Sequence, residues 1–432
     1  MVGINFFIQI DFKSKIKTSV IEFVKFQLEN GLRVIIHEDK STPMVAVNLV
    51  YDVGSKNEEA TKTGFAHLFE HLMFGGSINI PDFDDPIQMA GGENNAFTNA
   101  DLTNFYEILP AENIETALWL ESDRMLQLKF SKKSLQTQKK VVIEEFKETC
   151  LNEPYGDMWH HLSRLAYKEH PYQWPTIGKE MLHISEANLE QVKAFFYNYY
   201  RPDNAVLVLA GDITVQKGME LAEKWFGEIP AGNYQKQAII QEPAQDEFRQ
   251  VILEQDVPHD AIYQAFHMAE RLSDEYYACD LLSDVLSNGR SSRFYQRLYK
   301  EQHLFSTIDA FISGTSDPGL FILEGKTMPG VSIEQAKAAI AHELEILKNE
   351  LISDSELTKL KNSVESGLVY SEVSVLNKGI SLAYFEVLGD AAWINEEAER
   401  YQKVTAEDIR NVARKVFRKE NCNELIYKIK QN

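Results

Sequence analysis

The 432 residues carry 65 acidic against 44 basic side chains, a formal net charge of -21, with 44% hydrophobic and 25% charged residues. Length sets a prior of roughly two to four domains, and the composition is that of a globular chain rather than a disordered one. So acidic a chain is a poor partner for nucleic acid or an anionic membrane surface, yet at long range it attracts a neutral or basic polypeptide.

In chain order, the opening "MVGINFFIQIDFKSKIKTS" is apolar but short. It lacks a basic start and a small-residue cleavage site, so it does not read as a signal peptide. No stretch approaches membrane-spanning length. A cytoplasmic protein is expected, with the periplasm as the alternative if a leader has been removed. "FVKFQLENGLRVIIHED" is two β-rich runs split by Asn30-Gly31, a hairpin signal. "MVAVNLVYDVGS" is a further strand. From Thr63 to Phe74 the period turns helical, with Phe65, Leu68, Leu72 and Met73 on one face, and Gly75-Gly76 stops it. "GGENNAFTNADLTNFYEILP" is turn-rich and then extended. "NIETALWLESDRMLQLKF" and "SLQTQKKVVIEEFKETCL" are amphipathic helices. "NLEQVKAFFYNYYRPDNAVLVLAGDIT" is a helix, a turn and a buried strand, its aromatic run reading as core.

A Pro/Gly/polar stretch then marks a linker at 233–247, between an N-terminal lobe (1–232) and a C-terminal lobe (248–432). The second lobe restarts with strands ("RQVILEQDV", "AIYQAFHMA"), then helices ("DEYYACDLLSDVLSNG", "SSRFYQRLYKEQ"), strands ("STIDAFIS", "GLFILEGKTM") and helices to the end. The expectation is an α+β fold of two similar lobes, related by an old duplication. Cys150, Cys279 and Cys422 are far apart and no CxxC occurs, so neither a disulfide framework nor a thiolate metal site is expected.

The chemistry concentrates in "GFAHLFEHLMFGG". His67 and His71, at i and i+4, project to one side of a helix, the bite that suits zinc. Glu70 stands one residue away, able to take a proton from a water beside the metal. This is H-x-x-E-H, the inverted form of a metalloprotease pattern. Alone it is equally compatible with an amphipathic helix that happens to hold two histidines. A catalytic zinc needs a third protein ligand, and "VVIEEFKET" offers Glu144, Glu145 and Glu148 on a helix whose Val141, Val142 and Phe146 must bury. Gly92 permits close backbone approach, and Asn95-Ala96-Phe97 begin an extended segment, for which a plain hairpin with a buried phenylalanine is the alternative. Phe74 reads equally as a pocket wall or as core. His160-His161, His170, His183, His259 and His303 read as structural.

Taken together, "GFAHLFEHLMFGGS", "GGENNAFTNADLTNFYEILP", "VVIEEFKE", "YYRPDNAVLVLAGDI" and "SSRFYQRLYKEQHLFS" resemble, in this order and spacing, the pitrilysin/insulinase metallopeptidases. The likeness is to their half-length, two-subunit branch, which includes the mitochondrial processing peptidase, and it covers most of the chain. It implies two lobes, each a mainly antiparallel sheet covered by helices, making half of a clamshell. It implies a Zn2+ endopeptidase acting on extended or unfolded peptides, with His67, His71 and Glu145 as ligands and Glu70 as general base. Glu144 and Glu148 stand as fallback ligands, and Glu148 otherwise orients a histidine. Gly92, Asn95, Ala96 and Phe97 then belong to a substrate-pairing edge strand, the Asn95 side chain lying near the scissile bond. The family's second-half arginine and tyrosine are missing: aligned through Leu304, this chain has Tyr299 and Ser306 there, with Arg293, Arg297 and Tyr295 out of register. A heterodimer with a homologous chain carrying that pair is therefore implied, a homodimer being the alternative. A non-catalytic peptide-binding or structural subunit is the rival reading.

Overall fold

The computed structural model describes residues 20–430, so the N-terminal run discussed above lies outside the described residues. The first lobe is built on β1 (Val24–Gln27), β2 (Arg33–Glu38), β3 (Met44–Tyr51), β4 (Glu93–Thr98), β5 (Thr103–Pro110) and β6 (Ala205–Gly211). Their order across the sheet is β1-β2-β6-β3-β5-β4. The second lobe holds β7 (Arg249–Gln255), β8 (Ala261–His267), β9 (Phe305–Ile312), β10 (Leu320–Thr327) and β11 (Cys422–Ile429), in the order β7-β11-β8-β10-β9. With β1 set aside the two orders coincide. In each, the last strand enters between the first two, parallel to one (β2–β6, β7–β11) and antiparallel to the other (β3–β6, β8–β11).

Centrality explains the composition of the inserted strands. All seven residues of β6 ("AVLVLAG") are buried because both faces are covered. Ala205, Leu207 and Leu209 face the main first-lobe core, while Val206, Val208 and Ala210 face a second cluster. β11 is just as central, but the sequence reading carried helices through it to the end. The misleading residues are Asn423 and Glu424, both buried. Glu424 survives there because Lys337 lies 2.5 Å away and Gln250 and Gln264 donate to it. An interior strand that holds a paired charge does not read as an apolar run.

The lobes exchange a helix. The main face of the first sheet is covered by Phe65–Phe74, Ile114–Leu126, Lys132–Phe146 and other first-half helices; its other face takes the second-half helix Val375–Leu388. Leu382 and Ala383 of that helix are fully buried against Val206, Val208 and Ala210. Reciprocally, the first-half helix Met158–Ala166 covers the outer face of the second sheet, among Tyr263, Leu320, Ile322 and Leu425. The stretch 233–247 holds no helix or strand, but it is strapped down at several points. Lys236 pairs with Asp52 at 2.6 Å, Glu242 accepts the backbone N–H groups of Lys168, Glu169 and His170, and Gln245 donates to the carbonyls of Glu247, Glu420 and Cys422. Among the described residues no helix is long and apolar enough to cross a membrane.

Candidate metal centre

The helix Phe65–Phe74 starts at Gly64, whose φ of +85° and whose crowding against the Ile177 carbonyl oxygen, 2.8 Å from any added Cβ, both demand glycine. Its free N–H groups are met by a buried carboxylate, Glu58, which accepts from Gly64 at 2.9 Å and Ala66 at 2.8 Å. Burial outweighs those bonds and pushes Glu58 up to about 8. Phe65, Leu68, Phe69, Leu72 and Met73 enter the core, and the aromatic run of Phe195, Phe196 and Tyr200 stacks on Phe69. The buried stripe leaves the histidine face turned outward.

On that face the Nε2 atoms of His67 and His71 lie 3.3 Å apart. Glu145, from the helix Lys132–Phe146, reaches between them: its Oε2 is 3.3 Å from His71 Nε2 and its Oε1 is 3.6 Å from His67 Nε2. One donor atom from each of the three falls within 4.8 Å of the others, and this is the one group of its kind among the described residues. The donors fit a zinc ion: two imidazoles and one carboxylate, converging by the atoms that ligate, with side chains 13%, 25% and 37% exposed so that a further position faces solvent. Burial lowers the pKa of His67, opposed by the charge of Glu145, while the hydrogen bond with His71 lowers that of Glu145. A neutral imidazole beside an ionised carboxylate is the form in which these groups bind metal.

The sequence reading left three glutamates open, and the helix separates them. Glu144 points to solvent and pairs with Lys147 at 2.7 Å. Glu148 is exposed, and no hydrogen bond among the described residues ties it to either histidine. Val142 and Phe146 bury as required, but Val141 stays 44% exposed, one position off the stripe. Glu70 lies on the same helix face as the histidines' neighbourhood and its Oε2 accepts from Thr98 Oγ1 at 2.6 Å. Thr98 was not singled out from the sequence; the alternation of β4 is the signal that finds it.

β4 is the edge strand, paired with β5 on one side and open on the other. Asn94, Ala96 and Thr98 share the face toward the histidine helix, and Glu93, Asn95 and Phe97 alternate to the other. The Asn95 side chain lies on the face away from Glu70, and its Oδ1 accepts from the Ala96 N–H at 2.8 Å. Phe97 is 38% exposed rather than buried. Gly92 sits where a side chain would meet Leu109 Cβ at 2.8 Å. Phe74 packs inward, edge-on to Phe83 at 5.6 Å and 5.6 Å from the buried Arg124 guanidinium. Of the other histidines, His160 bonds the Gly178 carbonyl at 2.9 Å and His183 the Thr63 hydroxyl at 2.8 Å.

The chain is similar to known proteins over most of its length. Two family models match: one described as "Insulinase (Peptidase family M16)" over residues 33–180, and one described as "Peptidase M16 inactive domain" over residues 186–364. The chain is 29% identical over 399 residues to the zinc protease PqqE of Helicobacter pylori, covering 90% of this chain and 89% of that protein. The crystal structure of a protease from Helicobacter pylori superposes with a TM-score of 0.89 at 27% identity, over 94% of this chain and 99% of that one. The periplasmic protease PqqL of Escherichia coli shares the fold, with a TM-score of 0.77 at 18% identity, but this chain spans only 47% of its length.

Proposed function

The chain belongs to the insulinase family of peptidases, family M16, as a half-length member, and from that premise we propose that it is a zinc-dependent endopeptidase of extended or unfolded peptides. One observation carries the reading: His67, His71 and Glu145 converge, and the carboxylate of Glu70 stands on the same helix, tethered to the open edge strand. His67, His71 and Glu145 would hold the ion. When bound, zinc supplies Lewis acidity, polarising the scissile carbonyl and easing ionisation of the attacking water. Glu70 accepts the proton of that water at its carboxylate and later returns it to the leaving amine. Thr98 keeps the carboxylate aimed, and β4 offers its free hydrogen-bonding edge to an extended backbone, which gives affinity with little dependence on sequence. Ala96 and Thr98 face the reacting side of that edge, with Phe97 and Asn95 on the other.

The substrate clamp is incomplete in this chain. Arg293 is held by Glu356 at 2.9 Å, Arg297 by Glu343 at 2.6 Å, and Tyr299 stacks on Tyr295 at 5.1 Å. Ser306 donates to the Lys326 carbonyl. These engaged groups favour a homologous partner chain that brings a free arginine and tyrosine, with a homodimer as the alternative. They equally motivate the second reading, a peptide-binding subunit that turns over little.

The test is hydrolysis of a quenched fluorescent peptide library by the purified chain, alone and with its most similar companion chain, with and without a chelator. Chelator-sensitive cleavage only in the mixture supports the split-site peptidase. Cleavage by the chain alone keeps the peptidase and removes the obligatory partner. Bound zinc without cleavage in either case moves the assignment to the binding subunit.

A further inference from the structure

The helix that carries Glu145 does not stop at Phe146. Beyond Phe146 it continues as a wider π-type turn over Lys147–Asn152, and the chain then doubles back. Thr149 Oγ1 donates to the Glu145 carbonyl at 2.8 Å. The returning chain presses on the same residue: a side chain at Gly156 would lie 2.1 Å from the Thr149 carbonyl oxygen. Immediately before it, Tyr155 holds φ +64°. A bulky side chain occupies that left-handed region only where its surroundings over-determine it.

The surroundings belong to the second lobe. The Tyr155 hydroxyl donates to the His259 carbonyl at 2.6 Å and accepts from the His259 N–H at 3.1 Å. The ring stands edge-on to Tyr427 at 5.4 Å, with Lys326 Nζ 5.1 Å from its centre. Two residues on, Asp157 accepts from Tyr427 at 2.6 Å and Gln255 at 2.9 Å. The exchanged helix Met158–Ala166 begins there. A continuous path of contacts thus runs from the second sheet through Tyr155, Gly156 and Thr149 to Glu145.

We propose that Tyr155 is a positioning residue: the grip of the second lobe on this strained tyrosine sets the last turn of the glutamate helix, and with it the seat of Glu145 opposite His67 and His71. The proposal rests on the reading of those three residues as metal ligands. Its consequence is that the second lobe, which contributes no ligand, sets the affinity of the first lobe for metal.

The test is a double-mutant cycle on metal affinity, measured on the full chain by Co2+ titration in visible absorbance and by Zn2+ competition against a chromophoric chelator. Tyr155→Gly removes the grip, and glycine is at ease at this φ, so the backbone itself loses no compatibility. The expected result is a loss of affinity of about 10-fold or more for Tyr155→Gly in the otherwise native chain, and no further loss when Glu145→Gln is already present. The cobalt spectrum of Tyr155→Gly should shift toward that of Glu145→Gln. Tyr155→Phe keeps the ring and loses both hydrogen bonds; its smaller loss, about 3-fold on the same scale, should likewise vanish in the Glu145→Gln background. It carries the test if circular dichroism shows the glycine variant unfolded. Equal losses in both backgrounds, or none in either with fold retained, overturn the proposal and leave the peptidase reading standing. Coupling to Glu145 without any peptide hydrolysis by the native chain, either alone or with its companion chain, would keep the proposal and overturn the peptidase.

Discussion

The same strand order is built twice in this molecule, and the helix that follows the third strand of each shared order does opposite work in the two copies. In the first lobe it is Phe65–Phe74, which buries one stripe and turns His67, Glu70 and His71 outward. In the second it is Asp274–Ser287, whose Tyr276, Tyr277, Leu281, Leu282 and Leu286 all bury, and which has no histidine. Its acidic groups Asp280 and Asp284 are spent on Tyr401 and Asn288. The scaffold is common to both, so on the proposed reading the chemistry depends on a few side chains placed on one copy, and the other copy is free to act as support.

Four substitutions would break or sharpen that comparison. The largest effect belongs to Glu70, the proposed base of the first lobe. Glu70→Gln should lower kcat roughly 100- to 10,000-fold, with zinc content by atomic absorption unchanged; retained hydrolysis would remove Glu70 as the base. Next is the exchanged helix that supports the first sheet from behind. Leu382 is fully buried there, and Leu382→Ala should cost about 2–5 kcal/mol in urea unfolding. A loss near zero would mean that the helix is not integral to the first lobe.

Smaller again is the tether of the proposed base. Thr98→Val removes the hydroxyl donor to Glu70, and kcat should fall about 10-fold, the scale of one hydrogen bond to a charged group, with KM nearly constant. A rise in KM alone would instead make Thr98 a substrate contact. The smallest effect probes the second-lobe counterpart. Burial and the nearby Asp280 raise Asp284 to about 6. Its folded pKa thus lies above the unfolded one, so the folded state holds the extra proton and stability falls as pH rises between the two values. Below both values the group contributes no difference, and above about 6 the penalty is complete. Asp284→Asn should therefore leave stability nearly unchanged at about pH 3 and raise it on the order of 1 kcal/mol at about pH 8, without altering peptide cleavage. A loss of cleavage would show that the second helix is more than support.

Much of this was legible from local pattern. The hairpin at Asn30-Gly31, the histidine helix with its glycine stop, and the helices Ile114–Leu126, Lys132–Phe146, Leu189–Tyr199 and Asp274–Ser287 follow from periodicity and turn residues, because each records which of its own faces is buried, whereas the helices Met158–Ala166 and Val215–Phe226 were not read. What was missed has a common cause. β11 reads poorly because Glu424 is satisfied by Lys337, a neighbour in space from a helix about 90 positions away. Phe97 stays on the surface because β4 is an edge strand whose outer face nothing covers, a fact of sheet order rather than of sequence. Thr98 and Glu58 carry no motif; only their contacts with Glu70 and with the helix start reveal them.

The sequence by itself determined that two α+β lobes form, and that two histidines and a glutamate share one helix, since spacing along a helix is a local property. Which of three glutamates completes the group was decided by how the Lys132–Phe146 helix is rotated against its neighbour, because a shift of one residue turns a helical side chain by about 100°. The exchange of helices between the lobes was likewise decided only in three dimensions. An amphipathic stripe specifies that an apolar face will be covered, but it does not name the sheet that covers it.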